Sequence, residues 1–172
     1  TMMPNPFYQI YEGGAILAGS TPRYIPCSKD NSFNPDFSAV TEDEWQRCSM
    51  VYLCTPGNPS GSIMGIEEIQ TVIRKSDEYN FTIVSDECYS EIYADKPPVG
   101  LLEAASAMGR DDYKNCVAFN SLSKRSNLPG LRSGYVCGDA AIMGKFLLYR
   151  TYHGSAMAAQ NQWLSAKAWQ EE

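Results

Sequence analysis

Four short stretches of the chain, at 50–54, 82–85, 116–119 and 134–137, are nearly unbroken runs of apolar residues. Runs without polar alternation suit strands covered on both faces, so four buried strands are predicted. Between them the apolar period changes. Ile66, Ile69, Val72 and Ile73 recur at spacings of three and four, as do Ile142, Met143, Phe146 and Leu147 behind Asp139, a candidate helix cap. Upstream the signals weaken: residues 7–17 read as a helix interrupted at Gly13 and Gly14, Arg23, Tyr24 and Ile25 as a short strand, and residues 41–47 as one or two helical turns. Strands alternating with helices require crossover connections, which predicts an α/β fold with a mostly parallel sheet. No repeat, low-complexity segment or Ser/Gly linker divides the chain.

Composition narrows the function classes. The 172 residues are 44% hydrophobic and 20% charged, enough to bury a core. A net charge of −6 leaves no basic field for nucleic acid, and Lys124, Arg125 and Arg132 form only a short basic group, so no nucleic-acid partner is expected. Cys27, Cys48, Cys54, Cys88, Cys116 and Cys137 contain no CxxC pair; reduced thiols are expected, and no metal site. No apolar run approaches the roughly 20 residues of a membrane span, and the opening TMMPNPFYQ lacks a signal-peptide pattern. These features predict a cytoplasmic protein with no membrane partner, whose true N-terminus lies further upstream.

In parallel sheets ligands sit beyond the carboxyl ends of the strands, so the residues after each apolar run carry the most information. The first run is followed by a Pro/Gly loop presenting Asn58, the second by Asp86 and Tyr89, the third by Ser121, Ser123 and Lys124, with Arg132 entering the fourth. Each has an ordinary reading: the loop as a turn, Asp86 as a helix cap, Lys124 as a surface charge. The lone His153 reads as a packing or surface residue. Jointly, the loops bring an Asn, an Asp, a Tyr, a Lys, two Ser and an Arg to one edge of one sheet.

The blocks TPGNPSG (55–61), SDECY (85–89) and SLSKRSNLPGLRSG (121–134), in that order, resemble the large domain of fold-type I pyridoxal-phosphate-dependent aminotransferases of class I/II. The likeness runs from the PFYQIY stretch to about Arg150. It implies a three-layer, mostly parallel sheet with helices on both faces, here incomplete. Residues 1–150 would be a partial cofactor-binding large domain, and 151–172 the start of the connection toward a C-terminal small domain. The implied cofactor is pyridoxal 5'-phosphate, a pyridine carrying a phosphate and an aldehyde. Lys124 would be the Schiff-base lysine and general base. Ser121, three residues before it, and Arg132, eight after, would hold the phosphate, with Ser123 also at the cofactor. Asp86 would face the pyridine nitrogen, Asn58 and Tyr89 the ring oxygen, and Tyr8 would stack on the ring. By the same likeness the catalytic residues are Lys124, Asp86 and Tyr89, the substrates amino and keto acids, and the enzyme a homodimer whose partner subunit adds a tyrosine at the phosphate.

The phrases MPNPFYQIYEGGAILAG (3–19), DECYSEIY (86–93) and FLLYRTYHG (146–154) are similar to bacterial N-succinyldiaminopimelate aminotransferases. These implicate N-succinyl-L,L-diaminopimelate with 2-oxoglutarate and glutamate, in lysine and diaminopimelate biosynthesis. Aspartate, alanine or aromatic aminotransferases, a carbon–sulfur β-lyase, and the cofactor-sensing domain of a transcriptional regulator remain alternatives. Set against the family, the chain lacks the Gly/Ser/Thr-rich phosphate loop, the first sheet strand and most of the second, and the arginine that binds the substrate carboxylate. The strand at 23–25 is therefore expected to have no neighbour on the side facing 50–54. The chain reads as a piece of one on the order of 400 residues, with a second domain.

Overall fold

The computed structural model describes residues 1–170. Its strands are β1 (Met2–Asn5), β2 (Arg23–Pro26), β3 (Met50–Cys54), β4 (Thr82–Asp86), β5 (Cys116–Ser121) and β6 (Gly134–Gly138). They form one sheet in the order β2-β1-β3-β4-β5-β6, parallel except for the antiparallel β5–β6 pair. The four apolar runs are the adjacent strands β3 to β6, but β6 is not buried as expected: it closes the sheet as an edge strand and holds no buried residue. The longer helices are α1 (Gln9–Leu17), α3 (Ile66–Tyr79), α6 (Ala140–Tyr152) and α7 (Ala159–Gln170); α2 (Glu42–Gln46), α4 (Leu101–Ser106) and α5 (Leu122–Arg125) are short.

Side-chain alternation divides the sheet into two faces. On one, Val51, Leu53, Ile83 and Cys116 pack against Trp45 of α2, Ile69, Val72 and Ile73 of α3, and Leu101, Ala104 and Ala105 of α4, all buried. Trp45 stacks on Phe81 at 5.4 Å, which anchors α2 to the entry of β4. On the other face, Met3, Tyr52 and Cys54 pack against Tyr11 and Ala15 of α1, and Phe119 meets Phe146 of α6 edge-on at 6.1 Å. Helices thus cover both faces, as expected. Asp139 caps α6, accepting from the amides of Ala141 (2.8 Å) and Ile142 (3.1 Å), and it also takes the Asn115 amide at 2.7 Å.

Two expectations are corrected. The strand at Arg23 has a neighbour on the side facing β3, because Met2–Asn5 fills that place, in register with β2 from Met2↔Arg23 to Asn5↔Pro26 and touching β3 at Met2↔Val51. A four-residue run containing Pro4, which cannot donate to a ladder, carries little strand signal; burial of Met2 and Met3 supplies the driving force. The Gly13-Gly14 pair does not break α1 either. Tyr11 and Ala15, both 4% exposed, are held on the sheet, and their burial outweighs the glycine penalty of about 1 kcal/mol per residue. Residues 159–170 of the segment read as a connection are helical, and the last two residues of that segment lie outside the described residues.

Candidate active site

The carboxyl ends of β3, β4 and β5 set the site. Alternation along β4 turns Val84 and Asp86 toward α1 and α6, and Glu87 toward α4, where it accepts the Leu101 amide at 2.8 Å. Burial pushes the Glu87 carboxyl above the usual range. Asp86 is held at both oxygens: Oδ2 accepts the Tyr11 phenol at 2.6 Å, and Oδ1 the backbone amide of Cys88 at 3.2 Å. The Tyr11 ring stacks on Tyr52 (4.7 Å between centroids) and meets Tyr8 edge-on (5.8 Å). Cys54 is the register partner of Asp86, and Cys88 lies two residues beyond it. Burial, followed by the Asp86 charge, drives the Cys88 thiol up to about 12, with Lys124 pulling the other way; burial also raises Cys54. Both are neutral thiols at physiological pH, and all six cysteines are free.

Tyr8, Tyr11, Asp86, Asn120 and Ser121 form the polar end of a cavity of about 580 Å³, whose apolar wall includes Val84, Val117, Phe119, Ile142 and Phe146. A cavity of about 330 Å³ is lined by Asn58 and Tyr89 with Pro56, Gly57 and Ile92. The Pro/Gly loop that carries Asn58 is folded back by Gly57 N–H donating to the Ser62 carbonyl (2.8 Å), and by the Met64 amide donating to the buried Thr55 hydroxyl (3.1 Å). Its Thr55-Pro56 and Asn58-Pro59 peptide bonds are cis.

β5 runs directly into α5. Ser121 caps the turn, its Oγ accepting the Ser123 amide at 3.1 Å and donating to Ser123 Oγ at 2.9 Å. Lys124 is exposed, with Nζ 5.6 Å above the Tyr89 ring, so the amine, the phenol and the Asn58 loop share one neighbourhood. Arg132 follows a 3-10 turn in the left-handed region (φ 53°), and its guanidinium donates to the Pro129 carbonyl at 2.9 Å. The structure therefore brings Tyr8, Asp86 and Ser121 into one cavity and Asn58 and Tyr89 into a second. Arg132 reaches them only through Ser133, whose carbonyl accepts both the Leu122 amide (3.1 Å) and Ser121 Oγ (3.2 Å). His153 stands apart, exposed beside Tyr149.

Sequence reasoning missed three participants. Tyr11 lies three residues after Tyr8, one helical turn on, and that spacing was the available signal. Asn120 fixes the approach to Ser121 by accepting its amide at 2.7 Å. Arg125 donates to the Ala168 carbonyl at 2.7 Å and lies 5.2 Å over the Trp169 ring, docking α7 onto the lysine loop.

Among known proteins, the family "Aminotransferase class I and II" matches residues 1–168. A LL-diaminopimelate aminotransferase of Aquifex aeolicus is 33% identical over 144 residues, 83% of this chain and 36% of that protein. A 4-dedimethylamino-4-oxo-anhydrotetracycline transaminase of Streptomyces rimosus is 38% identical over 113 residues, 66% of this chain and 31% of that protein. The crystal structure of an aminotransferase from Neisseria meningitidis superimposes with a TM-score of 0.94 at 50% identity, covering 99% of this chain and 44% of that one. A probable N-succinyldiaminopimelate aminotransferase from Thermus thermophilus shares the fold at 22% identity, with a TM-score of 0.87 over 99% of this chain and 45% of that one. The chain spans about a third of the length of these curated relatives.

Proposed function

Because the chain belongs to the class I and II aminotransferases, we propose that it supplies much of the pyridoxal-phosphate site of a transaminase moving an amino group between an amino acid and a keto acid. The observation that carries this reading is the convergence of a carboxylate, an aromatic ring and a capped serine turn on one cavity, with a lysine amine over Tyr89, which lines the second cavity with Asn58. That donor set suits the group: an anion for a pyridinium, a ring for its face, hydroxyls for its phosphate and an amine for its aldehyde. When bound, the cofactor supplies an electron sink that lets the substrate's α-proton leave.

The chain's residues divide the remaining work. Lys124 Nζ would be the group that holds the cofactor's aldehyde and, when free, the base that would take the substrate's α-proton. Asp86 would face the ring nitrogen. Asn58 and Tyr89 would donate to the ring oxygen, Tyr8 would cover a ring face, and Ser121, Ser123 and Arg132 would hold the phosphate. For Arg132 this requires the side chain to leave the Pro129 carbonyl, a swap of a neutral acceptor for a dianion that a guanidinium favours strongly. Asp86 ends β4 and Lys124 lies in α5, which continues directly from the neighbouring β5, so the sheet fixes the separation of their backbones before any ligand arrives.

For the substrate, we assign amino-group transfer between N-succinyl-L,L-diaminopimelate and 2-oxoglutarate/glutamate, in a cytoplasmic homodimer. The reading is supported by phrase-level likeness and by relatives named for the unsuccinylated LL-diaminopimelate. The test is an absorbance titration of the full-length protein, loaded with pyridoxal phosphate, against L-glutamate, N-succinyl-L,L-diaminopimelate and LL-diaminopimelate. Bleaching of the visible band by glutamate and the succinylated amine, and its absence in Lys124→Ala, is the expected result. Bleaching by the free diamine instead replaces the substrate. A band that forms but ignores all three amines overturns the transaminase, and pyruvate released from a cysteine conjugate would replace it with a lyase.

A further inference from the structure

The phenol of Tyr11 is committed to one acceptor. It is buried, it lies 2.6 Å from Asp86 Oδ2, and its ring is clamped between Tyr52 and the edge of Tyr8. We propose that Tyr11 is a positioning residue for the cofactor: it orients the Asp86 carboxylate toward the ring nitrogen and ties that carboxylate to Tyr8, the ring-stacking side chain, through a single rigid aromatic. This rests on the reading of Asp86 and Tyr8 given above.

Three features support it. First, Asp86 Oδ1 is taken by the Cys88 amide, so without Tyr11 the carboxylate would have one fixed oxygen and could swing about its last torsion. Second, burial, then the neighbouring Cys54 thiol and Asp86 charge, push the Tyr11 phenol far above its usual range, so it stays an O–H donor at any pH the enzyme meets. Third, Tyr11 lines the same cavity as Tyr8 and Asp86, so its hydroxyl belongs to the site and not to the core behind it. A phenylalanine would pack equally well against Tyr52 and Tyr8, and only the hydrogen bond distinguishes the two residues.

The experiment uses the full-length holoenzyme and four variants: Tyr11→Phe, Asp86→Ala, the double variant, and Ile73→Val as a stability control on the opposite sheet face. Two quantities are read, the affinity for pyridoxal phosphate and the pH midpoint of the visible band of the bound cofactor. Tyr11→Phe is expected to weaken binding on the order of tenfold, the value of a hydrogen bond to a charged group, and to move the midpoint in the same direction as Asp86→Ala but less far. The double variant is expected to equal Asp86→Ala alone, because Tyr11 acts through Asp86. Ile73→Val is expected to lower the melting temperature and move neither quantity. If Asp86→Ala leaves affinity and midpoint unchanged, the reading of Asp86 itself fails. If Asp86→Ala moves them but Tyr11→Phe does not, or the two effects simply add, the positioning role of Tyr11 is overturned while the reading of Asp86 stands.

Discussion

Gly134 is the tightest steric checkpoint on the lysine loop. A β-carbon there would lie 2.5 Å from the Asn120 carbonyl oxygen and 3.5 Å from Ser121 Cα, both backbone atoms that no rotamer can move. Reaching an ordinary contact of 3.4 Å requires β6 to retreat from β5 by roughly 0.9 Å. That would stretch the bonds the Ser133 carbonyl accepts, now 3.1 Å from the Leu122 amide and 3.2 Å from Ser121 Oγ, beyond hydrogen-bonding range. Overpacking at about 1–3 kcal/mol, plus about 1 kcal/mol for each lost bond, gives a penalty of about 3–5 kcal/mol for Gly134→Ala. The larger effect is functional: Ser121 and Arg132 would separate by nearly the 1 Å that typically costs about a hundredfold in a positioned site. Titration of the purified full-length variant with pyridoxal phosphate is the assay, and Gly130→Ala is the control, since a β-carbon there meets nothing within 4 Å on the same loop. A Gly134→Ala protein that binds the cofactor within about threefold of wild type would refute the view that β5–β6 contact sets the site.

Two further outcomes concern the scaffold. Asp139→Ala removes a cap from α6 and the acceptor of the Asn115 amide, and is expected to cost about 1–2 kcal/mol in chemical denaturation, with Asp139→Asn recovering part. The hydrogen bond from the Asn115 amide comes first among the causes that hold this carboxyl below its usual value. Its contribution is therefore complete above the unfolded pKa and fades as pH falls below about 4 toward the lower folded value, so the gap between wild type and Asp139→Ala should narrow there. Glu44, held down to about 2 chiefly by the hydrogen bond from Arg23, should titrate near that value by carboxyl NMR. Arg23→Met should return the midpoint toward about 4.3, and a midpoint unmoved by that change would exclude the pairing.

What could be read in advance tracks the strength of each physical signal. β3 to β5 and α3 announce themselves because a run covered on both faces must be apolar and a helix against a sheet must repeat near 3.6, while β6 and α6 carry the same patterns with no buried residue. Met2–Asn5 does not, since four residues with a proline hold too little pattern, and only the gap between β2 and β3 explains its burial. Gly13 and Gly14 misled for the opposite reason: local propensity is a weak prior once Tyr11 and Ala15 have a surface to bury against. The candidate site was legible as a set of loop residues because strand ends are where such folds present chemistry. Tyr11 was not, because a tyrosine on an amphipathic helix looks like core until its hydroxyl is seen to reach a carboxylate 75 positions away.

That long-range contact explains why so small a sheet can order so many polar groups. Asp86 and Glu87 are adjacent acids, yet strand alternation sends one toward α1 and the cavity and the other to the amide of Leu101. The two charges leave on opposite faces, each with a donor, and neither has to be neutralised by the other. The same alternation puts Asp86 beside Phe119 of β5, and two residues further on the chain turns at Ser121 into the helix that carries Lys124. Because Ser121 caps that turn with its own Oγ, moving the lysine requires breaking the cap at Ser123 and the Ser133 link together. The lysine is free to swing at its tip while its Cα stays fixed. On the proposed reading of Lys124, a residue that would be both an anchor and a mobile base uses that division between stem and tip.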